Sequence, residues 1–172
     1  LMMTLFKKYF ANKSAVITLV LITSLLSGCG FKLRGDYLLA PELKTLYLSS
    51  EDIHGELTRT VKQHLMVNQV NVLDNPEQDK PELRILKDEL NRRTLSVFAN
   101  GQVAEYELIY TVNYQLVFTG QPPRDFSFDL YRDYQDDPDL ALAKSRELSL
   151  MLKEMRRSAA DRILRDMAAI TR

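Results

Sequence analysis

Ser96-Val97-Phe98-Ala99-Asn100-Gly101-Gln102-Val103-Ala104-Glu105-Tyr106-Glu107-Leu108-Ile109-Tyr110-Thr111-Val112-Asn113-Tyr114-Gln115-Leu116-Val117-Phe118 reads as the turn and second arm of a long hairpin. Asn100-Gly101 can supply the two positive-φ positions of a type I′ turn, the strongest short hairpin signal. Beyond the turn, Ala104, Tyr106, Leu108, Tyr110, Val112, Tyr114, Leu116 and Phe118 share one face. Glu105, Glu107, Thr111, Asn113 and Gln115 take most of the other. A strand with one apolar and one wet face belongs to an antiparallel sheet covered on one side. A two-residue turn sets the register: Ala99 opposite Gln102, Val97 opposite Ala104, Leu95 opposite Tyr106. Thr94 then faces Glu107 and Arg92 faces Ile109, both on the polar side. The alternation fails between Lys87 and Asn91, which predicts a bulge there.

Working outward, Leu43 to Leu48 reads as a first strand. Ser49 and Ser50, followed by Glu51 and Asp52, suit a helix start. Ile53, Leu57, Val61 and Leu65 give that helix one apolar stripe, ending near Asn68. Val70 to Leu73 is a short strand and Asp74 to Pro81 a loop. After a turn at Gly120 to Pro123, Phe126, Phe128 and Leu130 alternate along a strand that ends near Tyr134. Asp137-Pro138 supplies a capping carboxylate and a first-turn proline, and nothing breaks a helix from there to Ile170. Leu148, Met151, Leu152, Met155, Ala159 and Ile163 form its apolar face. The expected fold is α+β: a two-layer sandwich with two helices on one face of a mainly antiparallel, four- to five-stranded sheet.

The N-terminus carries a different message. Lys7, Lys8 and Lys13 precede an uncharged apolar run that closes on Leu26-Ser27-Gly28-Cys29. Positive flank, short apolar core and small residues are the layout of a secretory signal. The run is roughly a dozen residues, short of the ~20 a spanning helix needs. Its end resembles a lipobox, which implies cleavage before Cys29 and acylation of that residue. Cys29 is the only cysteine, and acylation explains a lone thiol in an oxidising compartment. Gly30, in place of an aspartate, points to sorting to the outer membrane. The organisation is therefore a removed signal (1–28), an acylated tether (29–41) and one domain (42–172). The mature chain keeps 20 basic against 23 acidic residues, a net charge of −3 with histidine neutral. That balance does not suggest nucleic-acid binding.

Enzyme motifs are missing: no Gly-rich phosphate loop, no G-x-S-x-G, no zinc-binding histidine pair. His54 and His64 would lie ten residues apart on the first helix, pointing about 80° apart. They read as solvated histidines, and no metal or cofactor is expected. Lys144 is the residue out of place, lying between Leu148 and Met151 inside the apolar stripe. A lysine there must reach the rim or meet an anion. That anion is either Asp133, Asp136 or Asp137, or the headgroup of a ligand, with Arg132 close by. The hairpin tip, Phe98, Ala99, Asn100, Gly101, Gln102 and Val103, is a second candidate. Phe98 and Val103 either dock on a partner or simply cover each other.

Several runs resemble the LptE family of lipopolysaccharide-assembly lipoproteins. They are Gly28-Cys29-Gly30-Phe31-Lys32-Leu33-Arg34-Gly35, the Ser96 to Tyr106 hairpin, Asp137-Pro138-Asp139-Leu140-Ala141-Leu142-Ala143-Lys144, and Lys153-Glu154-Met155. The resemblance implies a non-enzymatic lipoprotein that plugs the outer-membrane β-barrel LptD, helps it assemble, and takes part in placing lipopolysaccharide in the outer leaflet. It also implies lipopolysaccharide binding through basic residues, one matching Lys144. Another basic position, just before the Asn-Gly turn in some members, is Ala99 here; Arg92 and Arg93 would supply charge further down the strand. The competing reading is an auxiliary lipoprotein of an envelope lipid transporter, with no barrel partner.

Overall fold

The computed structural model describes residues 39–170. A 3-10 turn, Pro41–Lys44, leads into strand β1 (Thr45–Ser50). Helix α1 (Glu56–Val67), strands β2 (Asn71–Leu73), β3 (Glu82–Val97), β4 (Val103–Val117) and β5 (Arg124–Gln135), and helix α2 (Ala141–Ile170) follow. The five strands form one open sheet in the order β2-β1-β3-β4-β5. β1 runs parallel to both β2 and β3, while β3, β4 and β5 are an antiparallel meander. The sheet is therefore mixed: its long pairings are antiparallel and its short ones parallel. α1 is the crossover that a parallel β1–β2 pair requires. Among the described residues no helix is long and apolar enough to cross a membrane.

The apolar faces meet as the alternation requires. Leu108, Tyr110, Val112, Tyr114 and Leu116 of β4 are buried against Leu57, Val61 and Leu65 of α1 and Met155, Ala159 and Ile163 of α2 in one core. Tyr114 stacks on Phe126 with ring centroids 4.9 Å apart. The other sheet face is wet and laced across strands. Thr111 donates to Asp129 (2.6 Å), Gln115 to Asp125 (2.7 Å), and Ser127 to Asn113 (2.6 Å).

Local chemistry moves several boundaries. Pro41 opens a 3-10 turn that buries Leu43, so the first strand begins at Thr45 and not Leu43. α1 starts at Glu56 behind Gly55, because Ser50 and Asp52 spend their polar groups on a turn. Ile53 falls outside the helix and is exposed; Leu57, Val61 and Leu65 keep the stripe. His54 likewise precedes the helix, and half-buried His64 meets Asp161 of α2 at 3.1 Å. Asp137 caps as expected, accepting from the Asp139 amide at 3.0 Å. The first turn behind it, Pro138–Leu140, is 3-10, and α2 proper starts at Ala141.

The hairpin carries the largest correction. Of its turn residues only Gly101 has positive φ, +84°. The Gly101 amide donates to the Phe98 carbonyl (2.9 Å), and the Phe98 amide to the Gln102 carbonyl (2.8 Å). That is a three-residue loop whose last residue is a left-handed glycine, not the two-residue turn expected. Val97 therefore pairs with Val103, Ser96 with Glu105 and Thr94 with Tyr106. Bulges at Ala104 and Leu95 offset one another, so the one-residue slip persists below them; a third lies between Ile85 and Lys87, just before the stretch where one was expected.

Candidate functional site

The slip decides where the arginines go. Arg92 pairs with Leu108, a core residue, and Arg93 with Glu107. Arg92 therefore stands on the helix-covered side of the sheet, not on the open face where a two-residue turn would put it. Arg132 of β5 pairs with the other side of Leu108. Arg92, Leu108 and Arg132 make one row across three strands, which sets the two arginine backbones about 9–10 Å apart. Arg93 lies on the open face, where its guanidinium meets Glu107 at 2.6 Å. It does not join the other cations.

Lys144 closes the group from the helix layer. Its ammonium lies 5.3 Å from the centroid of the Tyr134 ring. Tyr134 pairs with Tyr106, and the Arg92 guanidinium lies 5.9 Å from the Tyr106 centroid. Two adjacent aromatic rings thus carry two cations, a geometry in which the ring faces attract positive charge. The buried Tyr134 phenol donates to the Lys144 carbonyl at 3.0 Å, pinning the first turns of α2 to the end of β5. The Asp136 amide donates to the Ala104 carbonyl at 2.9 Å, so the pole adjoins the hairpin's outer end.

Lys144 does sit on the sheet side of its helix, with a side chain 18% exposed. Its direct ion-pair partner is none of the three aspartates, although Asp136 adds a weaker Coulombic pull on the ammonium. Glu147, one turn along, accepts from the ammonium at 2.9 Å. The i,i+3 spacing of Lys144 and Glu147 was visible in the sequence and is the signal that would have found the pair. Glu147 holds the Lys144 pKa above its ordinary value, partial desolvation pulling the other way. Burial and nearby Asp136 raise the Tyr134 phenol, against the opposing charges of Lys144 and Arg92. The pole offers an ammonium and two guanidiniums beside two aromatic rings, an arrangement suited to phosphate. Sequence reasoning missed Tyr106 and Tyr134 as the rings that carry these cations.

At the tip, the Asn100 side chain bonds the Gln102 amide (3.0 Å) and side chain (2.8 Å), fixing the loop. Phe98 is 45% exposed and Val97 59%; Leu95 is exposed with them. The expectation put Leu95 and Val97 on the buried face. The bulges and the reach of the hairpin past the core leave them uncovered. Cys29 and the rest of the tether up to residue 38 lie outside the described residues.

Comparison with known proteins gives these features a family. The LptE family model, described as lipopolysaccharide-assembly, matches residues 43–167. The LPS-assembly lipoprotein LptE of Yersinia enterocolitica is 38% identical over 152 residues, 88% of this chain and 72% of that protein. The LPS-assembly lipoprotein LptE of Pectobacterium atrosepticum is also 38% identical, over 88% of this chain and 81% of its own. Among solved structures, the rare lipoprotein B from Shewanella oneidensis is 47% identical with a TM-score of 0.68, covering 74% of this chain and 96% of its own. Lipoprotein B from Nitrosomonas europaea is 25% identical with a TM-score of 0.67, covering 83% and 92%.

Proposed function

The chain belongs to the LptE lipopolysaccharide-assembly family, and on that footing we propose that it plugs the LptD β-barrel and binds lipopolysaccharide through the Lys144 pole. Its coarse role follows from membership: it is a lipopolysaccharide-assembly lipoprotein of the envelope and not an enzyme. In the finer reading, acylated Cys29 anchors it to the outer membrane. The exposed hairpin tip and the polar sheet face meet the inside of the barrel. Binding the folded barrel and not its unfolded chain stabilises the assembled form. Lys144, Arg92 and Arg132 meet the phosphates of the ligand.

The observation that carries the ligand reading is Lys144 itself. An ammonium turned toward the sheet, held over one aromatic ring and beside a second that carries Arg92, is arranged for an anion. Its ion-pair partner, Glu147, is half-exposed on the same helix and can be displaced. Arg93 has no part in it, being paired on the opposite face.

Three experiments test the reading. Capture of the tagged lipoprotein from mildly solubilised outer membranes should bring a large β-barrel in equal amount. A transporter subunit, or nothing, would refute the plug. Lys144→Asp should weaken lipopolysaccharide binding with the domain still folded; unchanged binding would remove the pole from the mechanism. Deleting Phe98 to Val103 should impair barrel capture.

A further inference from the structure

α2 outruns its neighbour. Arg156 of α2 pairs with Glu56, the first residue of α1, and Asp161 with His64 further along. The two helices therefore run side by side only from about residue 156 onward. The fifteen residues before that, Ala141 to Met155, extend about 22 Å past the start of α1 at 1.5 Å per residue.

The face left bare can be read residue by residue. An α-helix returns to the same direction after 18 residues, five turns. Ala160, Leu164 and Met167 are buried. Their counterparts 18 residues earlier are Leu142, Arg146 and Ser149, and all three are exposed. Leu142 is 81% exposed, and Leu150, one step round the same sector, 63%. Lys153 and Arg157 fall between them and are also exposed. None of Arg146, Lys153 and Arg157 has an ion pair among the described residues, while Glu147 is committed to Lys144. The result is a ledge of three free cations interleaved with two bare leucines, with the Arg146 to Arg157 span covering about 16 Å.

We propose that this ledge is a second contact site for a phosphorylated, multiply acylated lipid. The proposal rests on the reading of the Lys144 pole as a lipid site and extends it round the start of α2. Charge complementarity selects an anionic occupant. Guanidinium groups can bind phosphate in pairs. Leucines standing largely in water gain by meeting acyl chains. A lone cationic face would need no leucines, and a lone apolar one no arginines. The ledge also adjoins the pole, because Leu142 and Lys144 lie on opposite sides of the same first turn of α2.

The test uses the full, lipidated chain in its own membrane. A photo-crosslinking residue, p-benzoylphenylalanine, is placed at Leu150 in one strain, at Arg132 in a second, and at open-face Tyr131 in a third. Adducts are probed for lipopolysaccharide and for protein. The expected result is a lipopolysaccharide adduct from Leu150 and Arg132 but not Tyr131. The Leu150 adduct should fall at least fivefold when Arg146→Glu, Lys153→Glu and Arg157→Glu are combined, with the Arg132 adduct retained. An adduct from Arg132 alone, or only protein captured at Leu150, overturns the ledge and leaves the pole standing. No lipopolysaccharide adduct at either position overturns the pole, and the ledge with it.

Discussion

Replacing Tyr134 separates what its ring does for Lys144 from what its hydroxyl does for the fold. The ring is buried and lies 5.3 Å from the ammonium, and the hydroxyl donates to the Lys144 carbonyl at 3.0 Å. Tyr134→Phe keeps the ring and removes one neutral hydrogen bond, a loss of about 0.5–1.5 kcal/mol of stability. Tyr134→Leu removes the bond and the aromatic face together. A cation over a partly desolvated ring contributes enough to change an affinity by about twofold to thirtyfold. Glu147 still competes for the ammonium in every variant, and a half-exposed pair of that kind counts for little. Ligand affinity should therefore stay within about twofold of the parent in Tyr134→Phe. It should drop about three- to tenfold in Tyr134→Leu, toward the value for Lys144→Met. The assay is lipopolysaccharide binding by the lipidated protein in mild detergent, beside urea unfolding of each variant. If the phenylalanine and leucine variants bind equally, the ring does not hold Lys144 for the ligand. If both lose stability and neither loses affinity, Tyr134 serves only the junction between β5 and α2.

Three further outcomes follow from single residues. Gly101 sits at φ +84° with open space around it, so Gly101→Ala should cost about 1 kcal/mol in urea unfolding from backbone strain alone, and Gly101→Asn distinctly less. Lys144 has its pKa raised above 10.5 by Glu147. Its folded-state advantage is thus complete below that value and lost only as pH rises through the raised one, and Lys144-dependent binding should be level from about pH 6 to 9. Arg84 and Ser49 hold the Glu82 carboxyl below its ordinary 4.5, against partial burial. That stabilisation is present above pH 4.5 and disappears as pH falls through the lowered value. Glu82→Gln should therefore lower stability at pH 7 and flatten the acid limb of an unfolding-versus-pH profile.

Much of the fold was legible because periodicity survives tertiary packing. The alternation through β4 named its buried face residue by residue, and Asp137-Pro138 named the start of the last helix. The parallel pairs of β1 were not legible. β2 is three residues long, and its partner is chosen by the crossover through α1, not by any local signal. Ile53 was misplaced because it fits the four-residue spacing of Leu57, Val61 and Leu65. The turn made by Ser50 and Asp52 intervenes, and capping chemistry outranks spacing at a helix end. The pole was only partly legible. Lys144 was conspicuous as a charge within an apolar stripe, and Arg132 follows from the alternation of Phe126, Phe128 and Leu130. Tyr106 and Tyr134 looked like ordinary core aromatics, since nothing in one strand says what stands opposite it.

Arg92 is the instructive failure, because its face depends on one residue nine positions away. Asn-Gly suits a two-residue turn, and that turn sends Arg92 to the open side of the sheet with Thr94. The chain takes a three-residue loop, with only Gly101 left-handed. The bulges at Ala104 and Leu95 offset one another, so the one-residue change made at the loop persists down the strands. Since strand side chains alternate with period two, that single step exchanges the faces of Arg92 and Arg93. Arg93 is delivered to Glu107 on the open face, and Arg92 to Tyr106 beside Lys144. Adjacent arginines of identical chemistry thereby acquire different fates. Arg92→Glu should therefore weaken lipopolysaccharide binding where Arg93→Glu leaves it unchanged, and the reverse ranking would mean that the register assigned to this hairpin is wrong.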